Sequence, residues 1–178
     1  MTILHLRHHR AAAVPALRDG LLDVYADSHA DQLEHPFYAV DRYWERVENY
    51  LRGPAFDLVT AHLDDLLVGY TFGNALPADT RWWTALRGAD DPDLTRETGN
   101  RTFAFREFMT RKRHQGRGVG RQLHDELLAH RSEERATLLV RTDNPARELY
   151  LRWGWTIVGT MQPFPDSPVM EAMVRPLR

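Results

Sequence analysis

Arg111-Lys112-Arg113-His114-Gln115-Gly116-Arg117-Gly118-Val119-Gly120-Arg121 lies between an apolar, strand-like run and an amphipathic, helix-like run. Closely spaced glycines let backbone amides turn toward a ligand with no Cβ in the way. A helix starting there adds unpaired N–H groups and the positive end of its dipole. The expected guest is phosphate. A nucleotide P-loop would end in Gly-Lys-Ser/Thr, but Gly120 is followed by Arg121-Gln122. A dinucleotide fingerprint needs G-x-G-x-x-G directly after a strand. Here G-x-G-x-G follows five polar or charged residues, with too little chain beyond it for a doubly wound sheet. What remains is a pyrophosphate-sized anion bound late in a small mixed α/β domain.

Working outward, Phe103, Phe105, Phe108 and Thr110 mark the strand before the loop, with an alternation that slips around Arg106-Glu107 as a β-bulge would make it. Val119, Leu123, Leu127 and Leu128 mark the helix after it, and Ala136 to Val140 a buried strand. This βαβ unit predicts two parallel strands with a right-handed crossover. A last helix over about Pro145 to Trp153, capped by Asp143 or Asn144, precedes strands over Trp155 to Met161 and Val169 to Val174. Upstream, a short strand at Ile3 to Leu6, a helix after Pro15 and a second from Phe37 to Leu51 precede β-rich runs at Phe56 to Leu63 and Leu66 to Phe72. Asp64-Asp65 would turn that pair into a hairpin. Residues 74–101 read as an irregular insertion in which Trp82, Trp83 and Leu86 form either a satellite cluster or an aromatic wall for a substrate.

With 178 residues, 43% hydrophobic and 27% charged, the chain suits one globular domain spanning residues 1–178. No cysteine means no disulfide, no thiol nucleophile and no Cys-based zinc or iron–sulfur site. There is no apolar run of the ~20 residues that span a bilayer, and no histidine pair has convincing metal-ligand context. A cytoplasmic protein with no metal and no membrane association is therefore expected. A formal charge of −2 gives no global attraction to nucleic acid, and Lys112 is the only lysine among 23 basic residues.

Gln115-x-x-Gly118-x-Gly120 follows Glu107-Phe108-x-Thr110 and precedes Asn144-Pro145-Ala146-Arg147-Glu148-Leu149-Tyr150-x-x-x-Gly154-Trp155. This combination resembles the GNAT superfamily of acyl-CoA-dependent N-acyltransferases, most closely over about residues 103–174. The resemblance implies an α/β (α+β) fold: a mixed, mostly antiparallel seven-stranded sheet with a splayed parallel pair at its fourth and fifth strands and about four helices. It implies acetyl-CoA as co-substrate and transfer of an acetyl group to an amine without a covalent intermediate. Phe108, Met109 and Thr110 would meet pantetheine, and Gln115, Gly116, Arg117, Gly118, Val119, Gly120 and Arg121 the pyrophosphate. Tyr150 would attend the departing thiolate and Glu107 would serve as base, with Asp31, Glu34, His29 and His35 as rivals for the base. Glu34 and Tyr38 would line the acceptor site. Asn144 stands six residues before Tyr150 where the family pattern has seven, so its pantetheine contact competes with helix capping.

A small-molecule amine is the first expectation for the acceptor, with a protein N-terminus or lysine second. A non-catalytic acyl-CoA-binding domain, or a basic face for nucleic acid at residues 111–121, stays open. A homodimer would be common for such a fold, though no sequence feature demonstrates one.

Overall fold

The computed structural model describes residues 3–89 and 91–178. Met1 and Thr2 of the opening segment and Asp90 of the expected insertion lie outside the described residues. In chain order the elements are β1 (Leu4–His9), α1 (Arg18–Ser28), α2 (Val40–Tyr50), β2 (Asp57–Leu63), β3 (Leu66–Ala75) and a one-turn α3 (Pro92–Thr95). They continue with β4 (Thr102–Thr110), α4 (Val119–Ala129), β5 (Arg135–Val140), α5 (Ala146–Arg152), β6 (Thr156–Met161) and β7 (Met170–Pro176). The strands form a seven-stranded sheet in the order β1-β2-β3-β4-β5-β7-β6. Pairing is antiparallel for β1/β2, β2/β3, β5/β7 and β6/β7, and parallel for β4/β5. The expected mixed, mostly antiparallel sheet is thus present. The β4/β5 register runs only from Thr102↔Arg135 to Ala104↔Thr137, although β4 continues to Thr110.

The chain divides into two compact units, Met1–Asn74 with Phe105–Arg131 and Ala75–Ala104 with Ser132–Arg178. In the first, Leu21, Val24 and Tyr25 of α1 and Tyr43, Trp44 and Val47 of α2 recur at spacings of three and four and pack on Leu58, Tyr70 and Phe72. Side chains alternate along β3, so Gly69 faces the opposite way from Tyr70. There a Cβ on Gly69 would stand 3.1 Å from Leu123 of α4. Both faces of β2 and β3 are therefore covered, which explains their nearly continuous burial. Each large side chain buried this way contributes about 1.5–3 kcal/mol.

In the second unit, Trp83 is buried with Leu76, Ala104, Met161 and Ala172, and Trp82 and Leu86 pack against them. The satellite cluster is the arrangement observed. Arg87 exchanges backbone hydrogen bonds with Thr160 of β6, at 2.9 and 3.0 Å. Gly159 permits this approach, because a Cβ there would lie 2.4 Å from the Arg87 carbonyl oxygen. Glu97 Oε1 accepts from Trp83 Nε1 at 2.8 Å, Thr102 Oγ1 at 2.8 Å and Arg135 Nη2 at 3.0 Å. Segment 75–101 is thus pinned at three points.

Several boundaries differ from the sequence expectation. The first helix opens as a 3-10 turn at Ala11–Leu17 with Pro15 inside it and becomes α-helical only at Arg18. β3 runs three residues past Phe72, because Gly73 finds a partner in Asp57. The last helix is shorter, at Ala146–Arg152. Recorded register shifts fall at Ala61/His62 and Ile157/Gly159. Among the described residues no helix is long and apolar enough to cross a membrane.

Only 1% of the Glu97 side chain and 10% of the Arg135 side chain are exposed, so removing one partner strands a buried charge. Glu97→Ala is expected to cost about 3 kcal/mol in urea unfolding. A loss below about 0.5 kcal/mol would show that the pair does not hold the segment in place.

Candidate functional site

The glycine loop is held from behind. The Arg111 amide donates to the Val68 carbonyl and its Nε to the Leu67 carbonyl, both at 2.8 Å. Asp23 of α1 pairs with Arg111, and Asp27 Oδ2 accepts from the Lys112 amide at 2.7 Å. Asp31, one more four-residue step along, accepts from Lys112 Nζ at 3.2 Å. Gln115 Nε2 donates to the Thr110 carbonyl at 3.0 Å and closes the turn. Gly116 (φ +71°) and Gly118 (φ +81°) then take the left-handed conformation, and a Cβ on either would meet nothing within 4 Å.

Gly118 stands at the N-cap of α4 with no side chain capping the helix. The first backbone bond there is Gln122 N–H to the Gly118 carbonyl at 3.2 Å, so the amides of Val119, Gly120 and Arg121 precede the helical ladder. Open glycines and an uncapped helix start make a surface of N–H donors that fits a diphosphate. Gly120 has a second reason to be glycine, since a Cβ would lie 2.8 Å from Phe108 Cζ. The loop's cations are less available than their number suggests. Arg121 Nε bonds Asp125 at 2.5 Å and Arg113 Nε donates to His114 Nε2 at 2.9 Å. Arg117 is exposed and has no ion pair among the described residues.

Glu107 stands earlier on β4, half-buried, its main-chain carbonyl accepting from Thr71 Oγ1 at 2.8 Å. Its carboxylate accepts no hydrogen bond among the described residues. Burial pushes its pKa up to about 7, against the pull of the Arg46 and Arg106 charges. Both cations are fixed by other groups. Arg46, 4% exposed, donates from Nη1 to the Phe37 carbonyl at 2.7 Å and stacks 4.1 Å over the Phe37 ring. Arg106 Nε donates to Asn74 Oδ1 at 2.9 Å, and its guanidinium lies 4.7 Å over the Tyr50 ring. Gly53 makes room for that Asn74, whose Nδ2 would be 2.1 Å from a Cβ there.

Close by is a buried tyrosine group. Tyr25 stacks on Tyr43 at 3.7 Å, Tyr43 and Tyr70 share a hydroxyl hydrogen bond at 2.7 Å, and Tyr70 donates to the Leu21 carbonyl at 3.2 Å. Burial first, and the negative charge of Glu107 as well, holds all three pKa values above the ordinary phenol value. They are therefore poor proton donors near neutrality. Glu107 is the group here that can exchange a proton.

The rival bases at the helix bend are differently placed. The Asp31 pKa is lowered by a hydrogen bond from its own backbone and by Lys112, which makes it a weak base. The His35 Nδ1 accepts from the Phe37 amide at 3.2 Å, and the His29 ring stacks on Tyr25 at 4.3 Å. Glu34 is exposed, and Tyr38 is half-buried with its ring 5.0 Å from that of Phe37. No motif marks Arg46 in the sequence. The available signal is an arginine beside the apolar stripe of Tyr43, Trp44 and Val47.

In the second unit, Tyr150 of α5 is 6% exposed, with its ring edge-on to Trp153 and Trp155 at 6.0 Å each. Asn144 Oδ1 accepts from the Ala146 amide at 2.9 Å, in the turn that leads into α5. Asp143 is bonded by Arg141 at 2.8 and 2.5 Å, so it is not left to replace Asn144.

A family model described as an acetyltransferase (GNAT) domain matches residues 60–157. Comparison with curated proteins found no match. Among solved structures, PH1933 from Pyrococcus horikoshii OT3 is 20% identical, with 97% of this chain and 98% of that one covered and a TM-score of 0.67. Aminoglycoside 6′-acetyltransferase type Ii is 18% identical over 98% and 97%, with a TM-score of 0.63. The PaiA N-acetyltransferase from Thermoplasma acidophilum, solved with coenzyme A, is 10% identical over 98% and 99%, with a TM-score of 0.57. At these identities the likeness is one of fold.

A carboxyl whose folded pKa is raised destabilises the protein as pH climbs from its unfolded value, 4.5, through about 7. Glu107→Gln is therefore expected to stabilise the chain at pH 8, by up to about 3 kcal/mol, and to do little at pH 4. Equal unfolding midpoints for the two proteins at pH 8 would refute the raised pKa.

Proposed function

The chain belongs to the GNAT acetyltransferase family, and on that premise we propose that it transfers the acetyl group of acetyl-CoA to the primary amine of a small molecule. The observation that carries the reading is the N-terminus of α4 with no side-chain cap, where the amides from Gly116 to Gly120 stand beside two left-handed glycines. Such a surface holds a diphosphate through hydrogen bonds to fixed dipoles. Gln115, Gly116, Gly118, Val119 and Gly120 would shape it and Arg117 would add charge, while Arg121 is shared with Asp125. Phe108, Met109 and Thr110, past the last β4/β5 pair, would offer backbone groups to pantetheine as an added strand would use them.

Glu107 takes the proton from the attacking ammonium, directly or through one water. A carboxylate with a pKa of about 7 is available at neutral pH and still basic enough to accept. The amine nitrogen then bonds to the thioester carbonyl carbon, the C–S bond breaks, and the thiolate leaves with the electron pair and receives the second proton that the nitrogen sheds, so the products are amide and thiol. Tyr150 supports that departure by a hydrogen bond. Its phenol, near pKa ~10 against ~8.5 for a thiol, need not transfer the proton fully. Asn144 would either meet pantetheine or steady the start of α5 through the Ala146 amide. Glu34 and Tyr38 would face the acceptor, and the acidic bend suits a cationic amine.

A basic face for nucleic acid is disfavoured by the ion pairs. Arg111, Lys112 and Arg121 each have a carboxylate partner, so the strip presents little free charge to a phosphate backbone.

With acetyl-CoA and a panel of small amines, kcat/KM is expected to rise through a limb centred near pH 7, and Glu107→Gln to lower kcat by roughly a hundredfold and abolish that limb. Retention of the limb in the variant would dismiss Glu107 as the base. Tyr150→Phe is expected to lower kcat more than about tenfold while the calorimetric affinity for CoA stays within about twofold. Wild-type turnover in Tyr150→Phe would reject its role.

A further inference from the structure

Arg46 of α2 is a buried cation to which the transfer chemistry gives no task. It is 4% exposed, and it forms no ion pair among the described residues. Buried charges are ordinarily paired. Elsewhere the chain follows that rule: Arg135, with 10% of its side chain exposed, meets Glu97 at 3.0 Å.

What the protein offers Arg46 is neutral. Its two hydrogen bonds to carbonyls both leave from Nη1, to Phe37 at 2.7 Å and to Arg42 at 3.5 Å. The Phe37 and Tyr43 rings lie 4.1 and 5.6 Å from the guanidinium carbon and hold it in place, but a ring face offsets a buried charge only in part. Nε and Nη2 carry three more N–H donors. The Tyr25 oxygen is close enough to accept one of them, which leaves two for a ligand.

The surroundings say which ligand. Arg46 is the first of the charges that pull on Glu107 and Arg106 the second, yet Glu107 and Arg46 form no ion pair among the described residues. Two guanidinium groups around one carboxyl, ionised only from about pH 7 upward, leave the region net positive. Arg46 Nη1 also ties α2 to the 3-10 turn Pro36–Tyr38, so an anion on the remaining donors would sit beside the bend where the acceptor is expected. A carboxylate has one charge and two coplanar oxygens, and it matches adjacent donors on one guanidinium edge. A polyamine would instead bring a second cation against Arg46. We propose that the acceptor is an amino-carboxylate, a zwitterion whose carboxylate is taken by Arg46 while its amine meets Glu107. The inference rests on the acetyl-transfer reading and narrows its substrate class.

The test compares straight-chain ω-amino acids, from glycine upward, with alkylamines of matched length, assayed by thiol release from acetyl-CoA. The best amino acid is expected to exceed its matched alkylamine in kcat/KM by at least about thirtyfold. Arg46→Gln should bring that ratio to within about threefold of unity, and Arg46→Lys, which keeps the charge without the fork, should leave it in between. A ratio cancels any general loss of turnover, which is all that a brace for the bend would produce. Thermal melts check that each variant is folded. Calorimetry on wild type decides even if neither folds, because the preferred amino acid must bind at least about tenfold more tightly than its methyl ester, which lacks the negative charge. A ratio near unity in wild type, or one unchanged in folded Arg46→Gln, overturns the proposal. Turnover of alkylamines without an amino-acid preference sinks this inference alone and leaves acetyl transfer standing. No turnover with any amine, beside tighter binding of the amino acid than of its ester, sinks acetyl transfer and keeps Arg46 as a carboxylate site, whereas neither turnover nor a binding preference overturns both.

Discussion

The N-terminus of α4 begins at Gly118 with no side-chain cap among the described residues, and much of the first unit is arranged around leaving the amides of Val119 and Gly120 so. A side-chain cap at position 118 would be worth about 1 kcal/mol to the helix, yet that position is a glycine at φ +81°. The loop keeps its shape through contacts behind it instead: Asp23, Asp27 and Asp31 on Arg111 and Lys112, and Gln115 on the Thr110 carbonyl. Three carboxylates at four-residue intervals work as a rack for the loop's rear face. Its front is left as open N–H groups, whose partial positive charge is oriented before any ligand arrives.

The same trade between stability and readiness recurs at Glu107. A carboxyl at a half-buried strand position could have been paired directly with Arg46 or Arg106, which would have depressed its pKa and removed it as a base. Instead, Phe37 and Asn74 occupy the two guanidinium groups, so their charges moderate the desolvation without cancelling it. Tyr25, Tyr43 and Tyr70 satisfy their hydroxyls on one another and on backbone carbonyls, leaving the carboxylate without a donor among the described residues.

Legibility in the sequence followed how local each determinant is. The loop's glycine register, the 3.6-residue stripe of α2 and the order of strands depend on neighbours in the chain, and the sheet and its parallel β4/β5 pair were readable from them. Glu107 and Tyr150 were marked by motif position. What surrounds Glu107 was not, because Arg46 and the tyrosines come from α1, α2 and β3 and meet only through tertiary packing. Gly73 and Asn74 look like breakers in isolation, yet β3 carries them because Gly73 pairs with Asp57. The hydrogen bond from the Ala146 amide to the Asn144 oxygen could not be told from a ligand contact by motif position. Trp83 could not be told from a substrate wall without knowing that Glu97 would take its indole N–H.

The pairing of the loop's cations also bears on how an anion would be held. With Arg111, Lys112 and Arg121 engaged by carboxylates, the potential over the glycines comes mainly from amides and from Arg117. Amide dipoles act over one hydrogen-bond length and demand an oxygen at a defined place. Mobile surface cations attract any anion, and salt screens them over about 10 Å. A site built mostly from the former selects by shape at short range and loses less to ionic strength. Charge balance in the strip thus trades long-range attraction for discrimination at short range.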